Sequence, residues 1–192
     1  MIYVKIKSTE VAPEALESVI DALPAWRKAQ VMRIRNEQGR RNCALAYELL
    51  CEMLRERGIA TRPTFVYAPD GKPGMLELPE LHFNLSHCAT AVACAISDRE
   101  VGIDIETLGR FKESLAAYAM NEAEYRSIME AEDRDRAFTR LWTMKEATAK
   151  LTGEGIGTNM RNVLAHSYNI IYNTTIYEEV GCVMTTAQHK AI

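Results

Sequence analysis

The order of elements along the chain predicts an α+β fold with a natural midpoint at Asp98-Arg99. Two observations carry this. Strand, helices and strands occur in that order before the midpoint and again after it, and the two longest helical patterns lie one on each side. Ile2–Ile6 alternates apolar and polar residues, as a half-buried strand does. Pro13 and Pro24 punctuate two short helical stretches after it. Gln38–Arg57 is a long helix with Ala44, Leu45, Leu49, Met53 and Leu54 on one face, stopped by Gly58. Phe65–Tyr67 is a short strand entering the turn Pro69-Asp70-Gly71-Lys72-Pro73-Gly74. Leu81–Leu85 and Ala91–Ile96 read as strands joined by a turn at His87-Cys88-Ala89, and Val101–Glu106 as a further strand. Helices are expected over Leu115–Tyr118, Glu122–Met129 and Asp135–Leu151, broken by Gly153, Gly155 and Gly157. Tyr168–Tyr172, Thr175–Glu179 and Cys182–Thr186 read as a closing three-stranded meander, with Ala187–Ile192 as a loose tail. The expected units are 1–98 and 99–192.

The composition excludes several classes. Of the 192 residues, 47% are hydrophobic and 26% charged, an ordinary globular balance that rules out a disordered chain. No apolar run approaches bilayer length, and the lysines of Met1–Lys7 leave no signal-peptide core, so a cytoplasmic protein without a membrane partner is expected. The five cysteines are odd in number and form no C-x-x-C pair, so they read as reduced, buried small hydrophobes. A net charge of −3 argues against general nucleic-acid binding. Against that balance, Arg27, Lys28, Arg33, Arg35, Arg40 and Arg41 face a single acid, Glu37. Such a stretch suits a discrete anion site, or a solvated helix face.

Chemistry concentrates in a few short runs. In Val101-Gly102-Ile103-Asp104-Ile105-Glu106 the strand period sends Asp104 and Glu106 to one face and the isoleucines to the core. Two neighbouring carboxylates repel, and a hard divalent cation such as Mg2+ relieves the repulsion. Trp142, Glu146 and Lys150 follow i, i+4, i+8 spacing along one helix stripe. That allows a surface Glu–Lys pair, or a site with Trp142 packed beneath it, Glu146 as third metal ligand and Lys150 on a phosphate. Ser86 and His87, in Phe83-Asn84-Leu85-Ser86-His87, could face an anion; adjacent residues on extended chain point apart, which disfavours a Ser–His nucleophile pair. Lys72, in Gly71-Lys72-Pro73, is a turn lysine suited to a point-charge phosphate contact.

In the order G-K-P, F-N-L-S-H, G-I-D-I-E and W-x-x-K-E-A-x-x-K, these runs resemble the 4'-phosphopantetheinyl transferase superfamily, Sfp-type, over roughly Lys72 to Lys150. The resemblance implies two similar α+β halves in pseudo-twofold arrangement with the active-site cleft between them, and a monomer. It implies transfer of 4'-phosphopantetheine from coenzyme A to a serine of an apo acyl or peptidyl carrier protein, releasing adenosine 3',5'-bisphosphate. Asp104, Glu106 and Glu146 would bind Mg2+. Glu146 would be the base for the incoming serine, directly or through water, and Lys150 would stabilise charge on the phosphates. Lys72, Ser86 and His87 would hold phosphate oxygens, and Lys28 and Arg41 the ribose phosphate of coenzyme A. Two alternatives use the same residues: a non-catalytic relative that binds coenzyme A or the carrier, and a metal-dependent phosphohydrolase acting on coenzyme A. Which carrier is served is open, since Lys112 and the Ala116–Glu124 stretch match the family only loosely.

Overall fold

The computed structural model describes residues 1–155 and 160–191. Gly157, one of the three expected helix breakers, lies outside them. The chain runs β1 (Ile2–Ser8), α1 (Pro13–Asp21), α2 (Ala25–Arg33), α3 (Glu37–Glu56), β2 (Phe65–Tyr67), β3 (Pro73–Met75), β4 (His82–His87) and β5 (Ala91–Ser97). It continues with β6 (Gly102–Thr107), α4 (Glu113–Ala119), α5 (Glu122–Met129), α6 (Arg134–Thr152), β7 (Ile170–Tyr177) and β8 (Cys182–His189). Helices and antiparallel sheets are segregated, as an α+β chain requires.

The two main sheets repeat one topology. Their strand orders are β1-β5-β4 and β6-β8-β7, so each half pairs its first strand with its last, and its last with the one before. A small β2-β3 hairpin is added to the first half. Side-chain size along β5 explains how the sheets stack. Val92, Cys94 and Ile96 pack against α3 and its neighbouring helices. Ala91, Ala93 and Ala95 turn the other way and meet Ile103, Ile105, Cys182 and Met184 of the second sheet. The small residues let the sheets approach while the large ones fill the helical core. The result is four layers: helices, sheet, sheet, helix.

The helix ends follow their local chemistry. Asn36 caps α3 by accepting from the Gly39 amide, and Asn121 and Glu124 form a reciprocal capping box on α5. Asp133 caps α6, and Gly153 ends it with φ +75°. Gly102 is required for a different reason. A Cβ there would collide with the Ala147 carbonyl oxygen and the Leu151 amide of α6. Gly102→Ala is therefore expected to lower stability by about 1–3 kcal/mol, as overpacking does. A thermal melt unchanged within a degree would show that α6 can slide.

Two sequence expectations fail at the C-terminal end. Tyr168–Tyr172 and Thr175–Glu179 are not separate strands but parts of one, β7, which pairs with β8 without a break from Ile170 to Tyr177. Asn173 and Thr174 look like a turn by composition, yet Thr174 is held in register by a bond from its hydroxyl to that of Thr185, 2.9 Å away. Nor is the start of the expected tail loose: β8 extends through Ala187 to His189, and Ala187 is fully buried against α6, while Ile192 lies outside the described residues.

Candidate active site at the seam between the sheets

The site begins where β4 meets β6. Phe83 lies in the helical core, with Leu85 packed against it, so the alternate residues Asn84 and Ser86 face β6. There they do what a neighbouring strand would do. Asn84 Oδ1 accepts from the Ile103 amide at 3.0 Å, and Ser86 Oγ accepts from the Ile105 amide at 3.3 Å. Two edge amides of β6 are thus satisfied by side chains. The seam stays open where a continuous sheet would have closed it.

Asp104 sits at the centre of this seam. Lys150 Nζ, from the last turn of α6, reaches its Oδ1 at 2.7 Å, and Ser86 Oγ donates to the same oxygen at 2.8 Å. Lys150 also donates to Ser86 Oγ at 2.8 Å. A hydroxyl has one donor and two lone pairs. Ser86 therefore spends its whole capacity on Asp104, Lys150 and the Ile105 amide, and is 6% exposed. Its role is to orient Asp104 and Lys150. Of the two readings of the helix stripe, the plain i, i+4 pair of Lys150 with Glu146 is not formed among the described contacts; the helix aims its ammonium at the strand.

Glu146 and Glu106 complete an acidic group. Glu146 is buried, and desolvation pushes its carboxyl up to about 7, helped by the negative charges of Asp104 and Glu106 against the opposing pull of Lys150. Burial, then Asp104, raise Glu106 as well, while its ion pair with Arg110 opposes the shift. The second oxygen of Asp104 is buried without any partner. Among the described residues, no three His, Cys, Asp or Glu side chains are closed into a metal-ligating geometry. An orphaned carboxylate oxygen beside two carboxyls held above their ordinary range nevertheless suits a divalent cation, whose charge would reverse both penalties.

This acidity has a measurable consequence. Glu146 titrates near 7 in the fold and near 4.5 when unfolded, so between those values the native state holds a proton that the unfolded state has lost. Its contribution to stability is full below the unfolded value and falls as pH rises through the folded one. In chelator, the protein is expected to lose about 2–3 kcal/mol between pH 5 and 8 from this group. Glu146→Gln should flatten that slope. Melts in which both proteins show the same pH slope would mean Glu146 is not held in a desolvated acidic group.

A cleft of about 220 Å3 opens beside this group, lined by Asp70, Lys72, Pro73 and Asn84 on one side and by Ala149, Lys150 and Gly153 on the other. Lys72 is held there by the Leu151 carbonyl at the end of α6, 2.9 Å from its Nζ, and by Glu100 at 3.5 Å. The turn lysine thus ties the first half of the chain to the second. His87 lies on the opposite side of β4 from Ser86, as alternation demands, and β4 runs through it instead of ending before it. Burial, and next the charge of Lys150, keep its imidazole pKa below the usual value.

The remaining expected residues do not line this cleft. Lys28 pairs with Asp21 at 2.7 Å. Arg41 donates through Nη1 to the carbonyls of Thr9 and Val11, at 3.1 and 2.9 Å, which fastens the β1–α1 connection to α3. Trp142 is not beneath the carboxylates. Eight residues of α-helix rotate through about 80° beyond whole turns. Trp142 accordingly joins the cluster of α4, α5 and α6, with its ring 5.8 Å from Phe138.

Sequence reading assigned nothing to Lys145, yet it is fully buried. Its ammonium contacts Glu124 at 2.8 Å and the carbonyls of Met160 and Arg161 at 2.7 and 3.2 Å. It locks α5 and the 160–166 turn onto α6, and so fixes the helix that carries Glu146 and Lys150. The available signal was its stripe, shared with Leu141 and Thr148 at i±3 and i±4 spacing, which is a core stripe.

A family model described as the 4'-phosphopantetheinyl transferase superfamily matches residues 100–182. That stretch contains Asp104, Glu106, Glu146 and Lys150. By it, this part of the chain is similar to that superfamily. The curated relatives agree. The chain is 39% identical over 98 residues to the 4'-phosphopantetheinyl transferase psf-1 of Bacillus pumilus, covering 50% of this chain and 42% of the relative. It is 37% identical over 89 residues to the 4'-phosphopantetheinyl transferase Sfp of Bacillus subtilis, covering 45% and 39%. It is 39% identical over 107 residues to the 4'-phosphopantetheinyl transferase AcpT of Salmonella typhi, covering 53% and 55%. The chain spans about half the length of the curated relatives it matches. No helix among the described residues is long and apolar enough to cross a membrane.

Proposed function

We propose that this phosphopantetheinyl transferase relative moves 4'-phosphopantetheine from coenzyme A onto a serine hydroxyl of an apo acyl or peptidyl carrier protein. One observation supports the reading above the others: Lys150, Ser86 and Asp104 form a closed triangle, and Lys150 together with Lys72 lines the adjoining cleft. A cation-lined cleft beside an acidic metal-suited group is what chemistry at a pyrophosphate needs. In this reading residues 1–98 and 99–192 are the two units flanking the cleft, and the protein works as a cytoplasmic monomer.

The serine oxygen attacks the phosphorus that carries the pantetheine, and the anhydride P–O bond breaks. Adenosine 3',5'-bisphosphate leaves with the bonding electron pair. The serine proton passes to Glu146, whose raised acidity range suits a base working near neutrality. Lys150 places an ammonium on the oxygens that gain charge as the bond breaks. Lys72 and His87 hold phosphate oxygens of coenzyme A, and Lys28 and Arg41 its ribose phosphate. Asp104, Glu106 and Glu146 would hold Mg2+, which supplies charge neutralisation at the pyrophosphate. Ser86 keeps Asp104 and Lys150 in place.

The test is incubation with coenzyme A, Mg2+ and several apo carriers, followed by intact mass of each carrier. A gain of one phosphopantetheine on a carrier is expected. Free phosphopantetheine without a carrier would make the protein a phosphohydrolase, and bound but unaltered coenzyme A would make it a binding relative. Full transfer in excess chelator would remove the metal from the reading.

A further inference from the structure

Asn42, on α3, is 4% exposed, although nothing in the proposed chemistry requires an asparagine there. Its three contacts leave no freedom in how its amide is oriented. Its Nδ2 donates to the Cys88 carbonyl at 3.2 Å. A carbonyl only accepts, so the atom facing it must be the nitrogen. Its Oδ1 accepts from Gln38 Nε2 at 2.8 Å, which fixes the other end. The amide therefore presents a donor, not an acceptor, to His87 Nδ1, 3.2 Å away.

We propose that Asn42 is a positioning residue that sets the tautomer of His87. The amide hydrogen occupies the lone pair of Nδ1, so the single ring proton of the neutral imidazole resides on Nε2. Burial and the nearby charge of Lys150, both of which depress the imidazole pKa, keep the ring neutral at pH 7. Nε2 then has a hydrogen to give and no lone pair to take one. His87 can donate to a phosphate oxygen of coenzyme A, but it cannot accept the proton of an attacking serine there. The geometry therefore divides the labour at the site, with His87 as fixed donor and Glu146 as the only one of the two able to act as base. This rests on the transferase reading for what His87 touches, but not for its tautomer.

The experiment has two arms. Long-range 1H–15N spectra of the full chain, with its four histidines labelled and His87 assigned through His87→Gln, read the tautomer without any reaction. A neutral ring protonated at Nε2 is expected in the native protein, and protonation at Nδ1 would overturn the proposal. In Asn42→Asp the carboxylate accepts from the ring, so Nδ1 should gain a hydrogen. Because that variant sets a carboxylate against the Cys88 carbonyl, Asn42→Leu is the second probe, and it should show a mixture of tautomers. In the transfer assay, Asn42→Leu should raise KM for coenzyme A about 5–10-fold with kcat changed less than twofold, the size of one lost hydrogen bond. In a His87→Gln background the same substitution should do almost nothing. Equal effects in both backgrounds would mean that Asn42 acts by packing alone, which overturns the proposal. No transfer by the native protein together with the expected spectrum would overturn the transferase reading and leave the tautomer standing.

Discussion

Glu146→Gln is expected to lower kcat for carrier modification by about 10³-fold or more, because it removes a metal-suited carboxylate and the proposed base in one step. Asp104→Asn should be nearly as severe by a different route. Asp104 accepts from both Lys150 and Ser86 on one oxygen, so its amide counterpart would lose the charge that holds the lysine in place. Neither change should unfold the protein. Glu146 makes no hydrogen bond among the described contacts, and removing its charge relieves repulsion from Asp104 and Glu106. The two effects separate cleanly above pH 7 in chelator, where Glu146→Gln should melt higher than the native protein while transferring far more slowly. Steady-state transfer at saturating coenzyme A and Mg2+, beside a melt at pH 8, measures both. A kcat within threefold of native would remove Glu146 from the chemistry.

Much of this site was legible because its logic is local. Strand alternation alone places Ile103 and Ile105 in the core and Asp104 and Glu106 on the face that meets α6. The layer structure was legible only in part. The pattern Val92, Cys94, Ile96 announces a buried strand, but the alanines between them gain meaning only once a second sheet is seen to pack there. Where the reading failed, the cause lay far away in sequence. The β7 hydroxyl that opposes a turn at Asn173-Thr174 is matched from β8. Ser86 looks available until Asp104 and Lys150, 18 and 64 residues onward, are found to claim its hydroxyl. Asn42 carries no local signal at all, because its partner His87 is 45 residues away on another element. Lys145 had one, its core stripe, but a lysine on such a stripe names no partner.

Lys150 gives the second large expected effect, and the structure changes how it must be tested. The plainer of the two readings of the helix spacing is a wet Glu146–Lys150 pair whose loss would cost under about 0.5 kcal/mol. The partner is instead Asp104, whose side chain is only 5% exposed. Lys150→Ala would leave that carboxylate buried with its cation gone, a change that costs about 3–5 kcal/mol when such a pair is broken. Slow transfer by that variant could then reflect a damaged fold. Lys150→Gln avoids the difficulty, since its amide can still donate to Asp104 and Ser86 without the charge. It should melt closer to the native protein than Lys150→Ala does. Its kcat should nonetheless fall by about 10²–10³, the scale for removing one preorganised charge stabiliser. Lys150→Arg should rescue poorly, because a planar fork cannot occupy a point shared by one carboxylate oxygen and one hydroxyl. Added Mg2+ should narrow the stability gap of Lys150→Ala, because the cation takes over neutralisation of Asp104, yet it should not restore kcat. A Lys150→Gln protein that transfers at the native rate would confine this lysine to holding Asp104.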